Sequence, residues 1–263
     1  LFVLPGSSWA DYDPKLISTG GGVFPRTAKS IALTPEVRAV LDVDAESLTP
    51  NELIRAILRA PVDLLWNGGI GTYVKAKAER HAEVGDKTND AVRVDGEELR
   101  ARVVGEGGNL GFTQRGRIAY ARGGGRIFMD AIDNSAGVDC SDHEVNIKIL
   151  LGQAVANGSL TQEERNALLA TMTDEVAELV LRDNYEQNVA LGNARAQAPE
   201  MLPVHRRHLA HLERVGLVDR VVESLPDEAE LEARAATDVG LTSPEFAVLP
   251  AWTPGAHVDL VLS

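Results

Sequence analysis

The chain has 263 residues with 39 acidic against 26 basic side chains, a net charge of −13 that argues against a nucleic-acid or anionic-membrane partner. No apolar stretch approaches the ~18 residues of a membrane span, and the single cysteine, Cys140, leaves no internal disulfide and fits a reducing compartment, so the cytoplasm is expected. The length suits two domains, and the opening residues Leu1-Phe2-Val3-Leu4-Pro5 lack both an initiator methionine and the basic start of a secretion signal, reading as an internal cut.

In chain order, Pro35–Leu41 and Pro50–Leu58 read as helices capped by Thr34 and Thr49. Asp63-Leu64-Leu65-Trp66 then reads as a buried strand. Residues 75–83 and 96–100 have room to supply a crossover helix, since a parallel βαβ connection needs a dozen residues or more. Thr113 caps a short helix through Ala121, and Gly123-Gly124-Gly125 returns the chain to the sheet. Three apolar runs, 62–66, 101–104 and 126–132, each lead into a loop pairing asparagine with glycine: Asn67-Gly68-Gly69, Glu106-Gly107-Gly108-Asn109 and Asp133-Asn134-Ser135-Ala136-Gly137. As parallel strands they place the three asparagines along one carboxyl edge, where open α/β sheets bind ligands and where glycine admits close approach to the backbone.

Beyond residue 140 the pattern turns helical. Asp142 opens a helix of about four turns, with Val145, Ile149, Leu150, Leu151 and Val155 at helical intervals and Gly158 as its stop. Thr161-Gln162-Glu163-Glu164 is a capping box before Leu168, Leu169, Met172, Val176, Leu179 and Val180. Leu209, Leu212 and Val215 recur at three-residue spacing after Pro199 and Pro203, and Thr242-Ser243-Pro244-Glu245 opens a last helix that Pro250 and Pro254-Gly255 break within two turns. The final residues, 252–263, read as a frayed or foreign end. The expected class is therefore α/β: an incomplete, Rossmann-like parallel sheet over residues 1–141, followed by an α-helical domain over residues 142–263.

Glycine beside asparagine is also ordinary turn chemistry. Gly105-Glu106-Gly107-Gly108-Asn109-Leu110-Gly111 is not a dinucleotide fingerprint, because its last glycine comes one residue late. No G-x-S-x-G elbow and no H-E-x-x-H occur. His205, His208 and His211 step three apart and drift around a helix, so no metal site is expected, and His205-Arg206-Arg207-His208 reads as a solvated helix end. In the polar run Asp139-Cys140-Ser141-Asp142-His143-Glu144, Ser141 or Asp142 either caps a helix or, with the amides of that helix start, forms a spot for a carboxylate.

The run from Pro61 to Leu151 resembles the large bacterial NAD-specific glutamate dehydrogenases, through Asp63-Leu64-Leu65-Trp66-Asn67-Gly68-Gly69-Ile70-Gly71-Thr72-Tyr73-Val74, Val103-Val104-Gly105-Glu106-Gly107-Gly108-Asn109-Leu110-Gly111 and Asp130-Ala131-Ile132-Asp133-Asn134-Ser135-Ala136-Gly137-Val138-Asp139-Cys140-Ser141-Asp142-His143-Glu144. Leu4-Pro5-Gly6-Ser7-Ser8-Trp9-Ala10-Asp11-Tyr12-Asp13, Gly20-Gly21-Gly22-Val23-Phe24-Pro25-Arg26 and Arg182-Asp183-Asn184-Tyr185-Glu186-Gln187-Asn188 extend the likeness to about Leu249. The smaller hexameric glutamate dehydrogenases are a more distant comparison, with E-G-A-N at Glu106-Gly107-Gly108-Asn109 and N-A-G-G-V then T-V-S at Asn134 to Val138 and Asp139-Cys140-Ser141.

This resemblance implies that Asn109 and Asn134 contact the nicotinamide ribose and carboxamide of NAD, with Gly107 and Gly108 in the same loop. Asn67 and Gly68 fall where the hexameric enzymes carry a P-A-A loop near the cofactor, and Ser141 is implied to bond the distal carboxylate of glutamate. The implied reaction is hydride transfer from the α-carbon of L-glutamate to NAD, then imine hydrolysis to 2-oxoglutarate and ammonia. The implied full-length enzyme is a homo-oligomer. The family's catalytic lysine, aspartate and pyrophosphate turn have no counterpart in this sequence, Lys29 included, so no catalytic residue is assigned and the piece alone is expected to be inactive. Two other readings stay open: a non-catalytic helical interaction or regulatory module, and a related amino-acid dehydrogenase.

Overall fold

The computed structural model describes residues 5–252, so Leu4, with the rest of 1–4, and the closing stretch from 253 onward lie outside the described residues. Helices α1 (Pro35–Leu41) and α2 (Pro50–Leu58) have the expected bounds and caps: Thr34 Oγ1 accepts from the Val37 amide at 3.2 Å, and Thr49 with Glu52 closes a reciprocal capping box. Between them, β1 (Ile31–Ala32) and β2 (Ser47–Leu48) pair antiparallel.

Strand β3 (Leu64–Asn67) follows, but it is not buried: Leu64 and Trp66 are 54% and 59% exposed, because one face of this strand meets no packed layer among the described residues. The connection that follows is not a single crossover helix. It folds as β4 (Val74–Lys75), the one-turn α3 (His81–Val84) and β5 (Val94–Asp95), with β4 and β5 parallel. The organiser is polar. Arg93, its side chain buried, donates to the Thr72 carbonyl at 2.8 Å and pairs with Asp90 at 2.5 Å, so the segment coils round a guanidinium instead of an apolar stripe.

Strand β6 (Val103–Glu106) pairs parallel with β3 in the register Leu64↔Val103 to Asn67↔Glu106, as the sequence predicts. Helix α4 (Gln114–Arg122) is capped by Thr113, whose Oγ1 accepts from the Gly116 amide at 2.9 Å. The third expected strand is largely overturned. Arg126 makes one parallel bridge to Val103, the Val104 amide donating to its carbonyl at 2.9 Å, and then the run turns into the short helix α5 (Asp130–Asp133). Asp130 and Asp133 are drawn in as acceptors for the amides of Leu110 (2.7 Å) and Glu106 (2.8 Å), and a strand would alternate them away from those donors.

Helix α6 (Ser135–Ala156) begins seven residues earlier than expected and runs 22 residues, while Gly158 beyond it takes the left-handed φ of +78° that suits a stop. Then come α7 (Gln162–Thr171), with the Thr161–Glu164 box intact, α8 (Thr173–Ala196), α9 (Leu202–Arg214), α10 (Glu228–Ala236) and α11 (Ser243–Trp252). Pro250 sits inside α11 instead of ending it. Its missing amide and its ring bear on one position, the carbonyl of Phe246 four residues earlier, so the described turns before that point keep their bonds.

The molecule is thus mixed α/β, mostly helical, with small two-stranded sheets. One core gathers Val74, Val94, Val104, Phe112, Tyr120 and Ile127 under the strands; another gathers Leu202, Leu209, Leu212, Leu231 and Phe246 between the C-terminal helices. Leu209 and Leu212 are fully withdrawn from water, each worth about 1.5–3 kcal/mol of burial. The two parts meet where α11 packs on α4 and α8, and Gln114 Nε2 donates to the Pro244 carbonyl at 3.0 Å. Among the described residues no helix is long and apolar enough to cross a membrane.

Candidate functional site

The parallel register brings the ends of β3 and β6 side by side, and the loops beyond them touch: the Gly108 amide donates to the Asn67 carbonyl at 3.1 Å. Past these loops, Asn134 Nδ2 donates to Asn109 Oδ1 at 2.5 Å. This pair stands at the rim of a cleft of about 640 Å³, walled by the tip of the β6 loop (Asn109, Leu110), by α5 and the start of α6 (Asp130, Ala131, Asn134, Ser135, Val138, Asp139, Asp142) and by α8 (Asp183, Gln187). That volume falls within the range of small-molecule sites. Asn184 of α8 fixes the junction of α5 and α6 from behind, its Nδ2 donating to the Ile132 carbonyl at 2.9 Å and to Ser135 Oγ at 3.0 Å.

Of the residues expected in the site, only Asn109 and Asn134 line this cleft. Asn67 is turned inward. A Cβ on Gly111 would lie 1.6 Å from its Nδ2, which is buried and has no hydrogen-bond partner. Gly108 is needed for the approach of the two loops, since a Cβ there would meet the Gly69 carbonyl oxygen at 2.9 Å; Gly107 makes room for the Trp66 indole. Gly68, also outside the lining, sits beside the same ring. Ser141 is neither a cap nor at a helix start. It lies in the second turn of α6, exposed, with its hydroxyl donating to the Gly137 carbonyl at 3.1 Å, because the helix already begins at Ser135.

The cleft is acidic. Asp130, Asp139, Asp142 and Asp183 face it, and among the described residues lining it there is no lysine or arginine. Burial and the nearby Asp183 and Asp142 charges push the Asp139 carboxyl above its usual range, while His143 pulls the other way. Asp139, His143 and Asp183 bring their ligand atoms within 4.8 Å of one another, with His143 Nε2 at 3.4 Å from Asp139. The sequence hides this group because Asp183 arrives from α8, and only the i, i+4 step from Asp139 to His143 is visible in it. The three histidines of α9 do something else: His205 packs edge-on against Phe246, ring centroids 4.8 Å apart.

These features test the fit of a nicotinamide cofactor. With their mutual bond made, Asn109 Nδ2 and Asn134 Oδ1 remain as a donor and an acceptor, the complement of a primary carboxamide. The carboxylate wall suits the cationic oxidised ring and repels a diphosphate. The residues therefore fit the nicotinamide end of such a cofactor and not its pyrophosphate.

Residues 1–194 match the family described as bacterial NAD-glutamate dehydrogenase, catalytic domain. The chain is 58% identical over 249 residues to an NAD-specific glutamate dehydrogenase of Pseudomonas aeruginosa and 56% identical over 249 residues to one of Halomonas elongata, covering 95% of this chain and 15% of the relative in each case. It is 55% identical over 268 residues to one of Mycobacterium tuberculosis, covering 100% of this chain and 16% of that protein. The chain thus spans about 15% of the length of the curated relatives it matches. It belongs to the bacterial NAD-glutamate dehydrogenase family, within the catalytic domain.

Proposed function

We propose that this chain supplies the nicotinamide-facing wall of the cleft in an enzyme that converts L-glutamate to 2-oxoglutarate and ammonia with NAD. The supporting observation is the meeting of Asn109 and Asn134 at 2.5 Å over an acidic cleft, two residues 25 positions apart brought together on the side where β3 and β6 end. This convergence favours a dehydrogenase over a purely helical interaction module. NAD, when bound, accepts the hydride. The chain's own part is to hold the carboxamide through the two asparagine amides and to keep negative charge beside the ring, so that orientation replaces a random encounter.

In this reading the parallel pair β3–β6 and the Arg126 bridge are one margin of a larger, Rossmann-like sheet. A cofactor domain over residues 1–141 and a helical domain over 142–263 remain part of this reading, with α6 running across their junction. Asn67, Gly68, Gly107 and Gly108 act behind the cofactor wall, shaping the loops. Ser141 faces the distal carboxylate of glutamate once its hydroxyl turns away from Gly137, with the balancing cation coming from outside this chain. The cytoplasm and a homo-oligomeric whole enzyme complete the proposal.

The test is NADH affinity of the full-length protein, followed by fluorescence. Asn109→Ala and Asn134→Ala each weaken binding by about tenfold, the value of one lost hydrogen bond. Unchanged affinity in both variants rejects the reading. Glutamate-dependent NADH formation by residues 1–263 alone would show that the catalytic groups are here after all.

A further inference from the structure

Behind the asparagine pair lies a buried ionic network that the reaction itself does not require. Arg117, from α4, donates from Nε to Glu106 Oε2 at 2.7 Å and from Nη2 to Glu106 Oε1 at 3.0 Å, and its Nη2 lies 3.1 Å from Asp130 Oδ1. Exposure of Arg117, Glu106 and Asp130 is 4%, 0% and 7%. Asp130 spends its other oxygen, Oδ2, on the amide of Leu110 at 2.7 Å, and Thr72 Oγ1 donates to the Leu110 carbonyl at 2.8 Å. Leu110 needs this grip. It is a branched, two-thirds exposed residue at φ +61°, a conformation that such a side chain leaves unless the surroundings over-determine it. Its neighbour is Asn109.

We propose that Arg117 and Asp130 are positioning residues for nicotinamide recognition, acting by locking Leu110 in its left-handed conformation and so presenting Asn109 to Asn134. The chain of contacts runs Arg117 to Asp130, Asp130 to the Leu110 amide, and Leu110 to Asn109, while Asp130 also opens α5, the helix that ends at Asn134. One carboxylate thus sets both members of the pair. A buried Arg–carboxylate fork is a weak source of stability and a strong source of geometry, because its planar donors admit one arrangement. This inference rests on the assignment of Asn109 and Asn134 to the nicotinamide.

The experiment compares two ligands on the full-length protein: NADH, and ADP-ribose, which lacks the nicotinamide. Asp130→Asn keeps the shape of the side chain but leaves one acceptor oxygen where the carboxylate offers two, so it cannot accept from both Arg117 and the Leu110 amide. It is expected to weaken NADH about tenfold while leaving ADP-ribose near its wild-type value, with a lowered melting temperature because the buried Arg117 loses part of its countercharge. Arg117→Lys, which keeps the charge and loses the fork, is the second variant, with the same selective loss of NADH expected at a smaller size. Equal losses for NADH and ADP-ribose, or a fallen melting temperature with unchanged NADH affinity, overturn the positioning role and leave a merely structural one. If Asn109→Ala weakens NADH and neither network variant does, the inference fails while the asparagine assignment stands; if Asn109→Ala binds NADH like wild type, the assignment itself fails.

Discussion

The Trp66 indole lies against Gly107 so closely that a Cβ on the glycine would stand 2.2 Å from Trp66 Cζ2. Gly105, two residues earlier on the same side of β6, would meet the same ring at 2.7 Å. Glycines that in the sequence resemble an opening for a flat ligand are thus used, in the folded chain, by the chain's own aromatic ring.

Gly107→Ala is therefore expected to push the half-exposed indole outward, at about 1–3 kcal/mol of local stability, since overpacking costs that much where a neighbour must move. Hydrogen exchange over β3 and β6 reads the loss. In a Trp66→Ala background the same substitution should cost almost nothing, and a cycle showing full additivity would remove Trp66 as the cause.

Leu110 is held at φ +61° with its side chain 66% exposed, so replacing it trades little packing for relief of backbone strain. Leu110→Gly should stabilise the loop by roughly 0.5–1 kcal/mol, and Leu110→Val should destabilise it, because β-branching makes the left-handed region harder to hold. Slower amide exchange across residues 106–112 in the glycine variant is the expected outcome.

Arg234 of α10 forks onto Glu245 of α11 at 2.7 and 2.9 Å, both side chains buried, and the carboxylates of Glu245 and Glu230 hold its guanidinium firmly charged. Glu245 also accepts from the Thr242 amide at 2.7 Å. Glu245→Ala leaves a buried cation half paired and uncaps the helix, a loss of roughly 3–5 kcal/mol in the C-terminal core. Thermal unfolding checks it; a shift under one degree would contradict the pairing.

Burial pushes the carboxyls of Glu106 and Asp133 above their usual range, and the Arg117 guanidinium only partly offsets it. A raised carboxyl binds its proton more tightly folded than unfolded. Its stabilising contribution is thus present at low pH and is lost as pH rises through the raised folded value. Asp133→Asn, which keeps an oxygen for the Glu106 amide, should then raise the melting temperature at pH 7–8 and flatten its fall between mildly acid and neutral pH. The capping glutamates, Glu52, Glu83 and Glu164, are lowered by bonds to their cap residues and work in the opposite sense, losing stability on acidification.

What the sequence determined by itself was the local chemistry. Thr34, Thr49, Thr113 and Thr161 announce four helices because a cap is a hydrogen bond closed within three or four residues, and the parallel pairing of the runs ending at Asn67 and Glu106 follows from the room left between them. The family likeness pointed to Asn109 and Asn134, which the fold brings into contact. Tertiary structure alone decided which apolar run stays a strand. Residues 126–132 leave the sheet after one bridge because Asp130 and Asp133 are claimed by amides 20 and 27 residues away, and no local pattern shows that claim. It also decided that α6 starts at Ser135, that Asp183 comes to face Asp139, and that Arg117 lies under the asparagine loop. Bonds between neighbours are written in the order of residues; the pairing of buried charges is settled only when distant elements compete for the same donors.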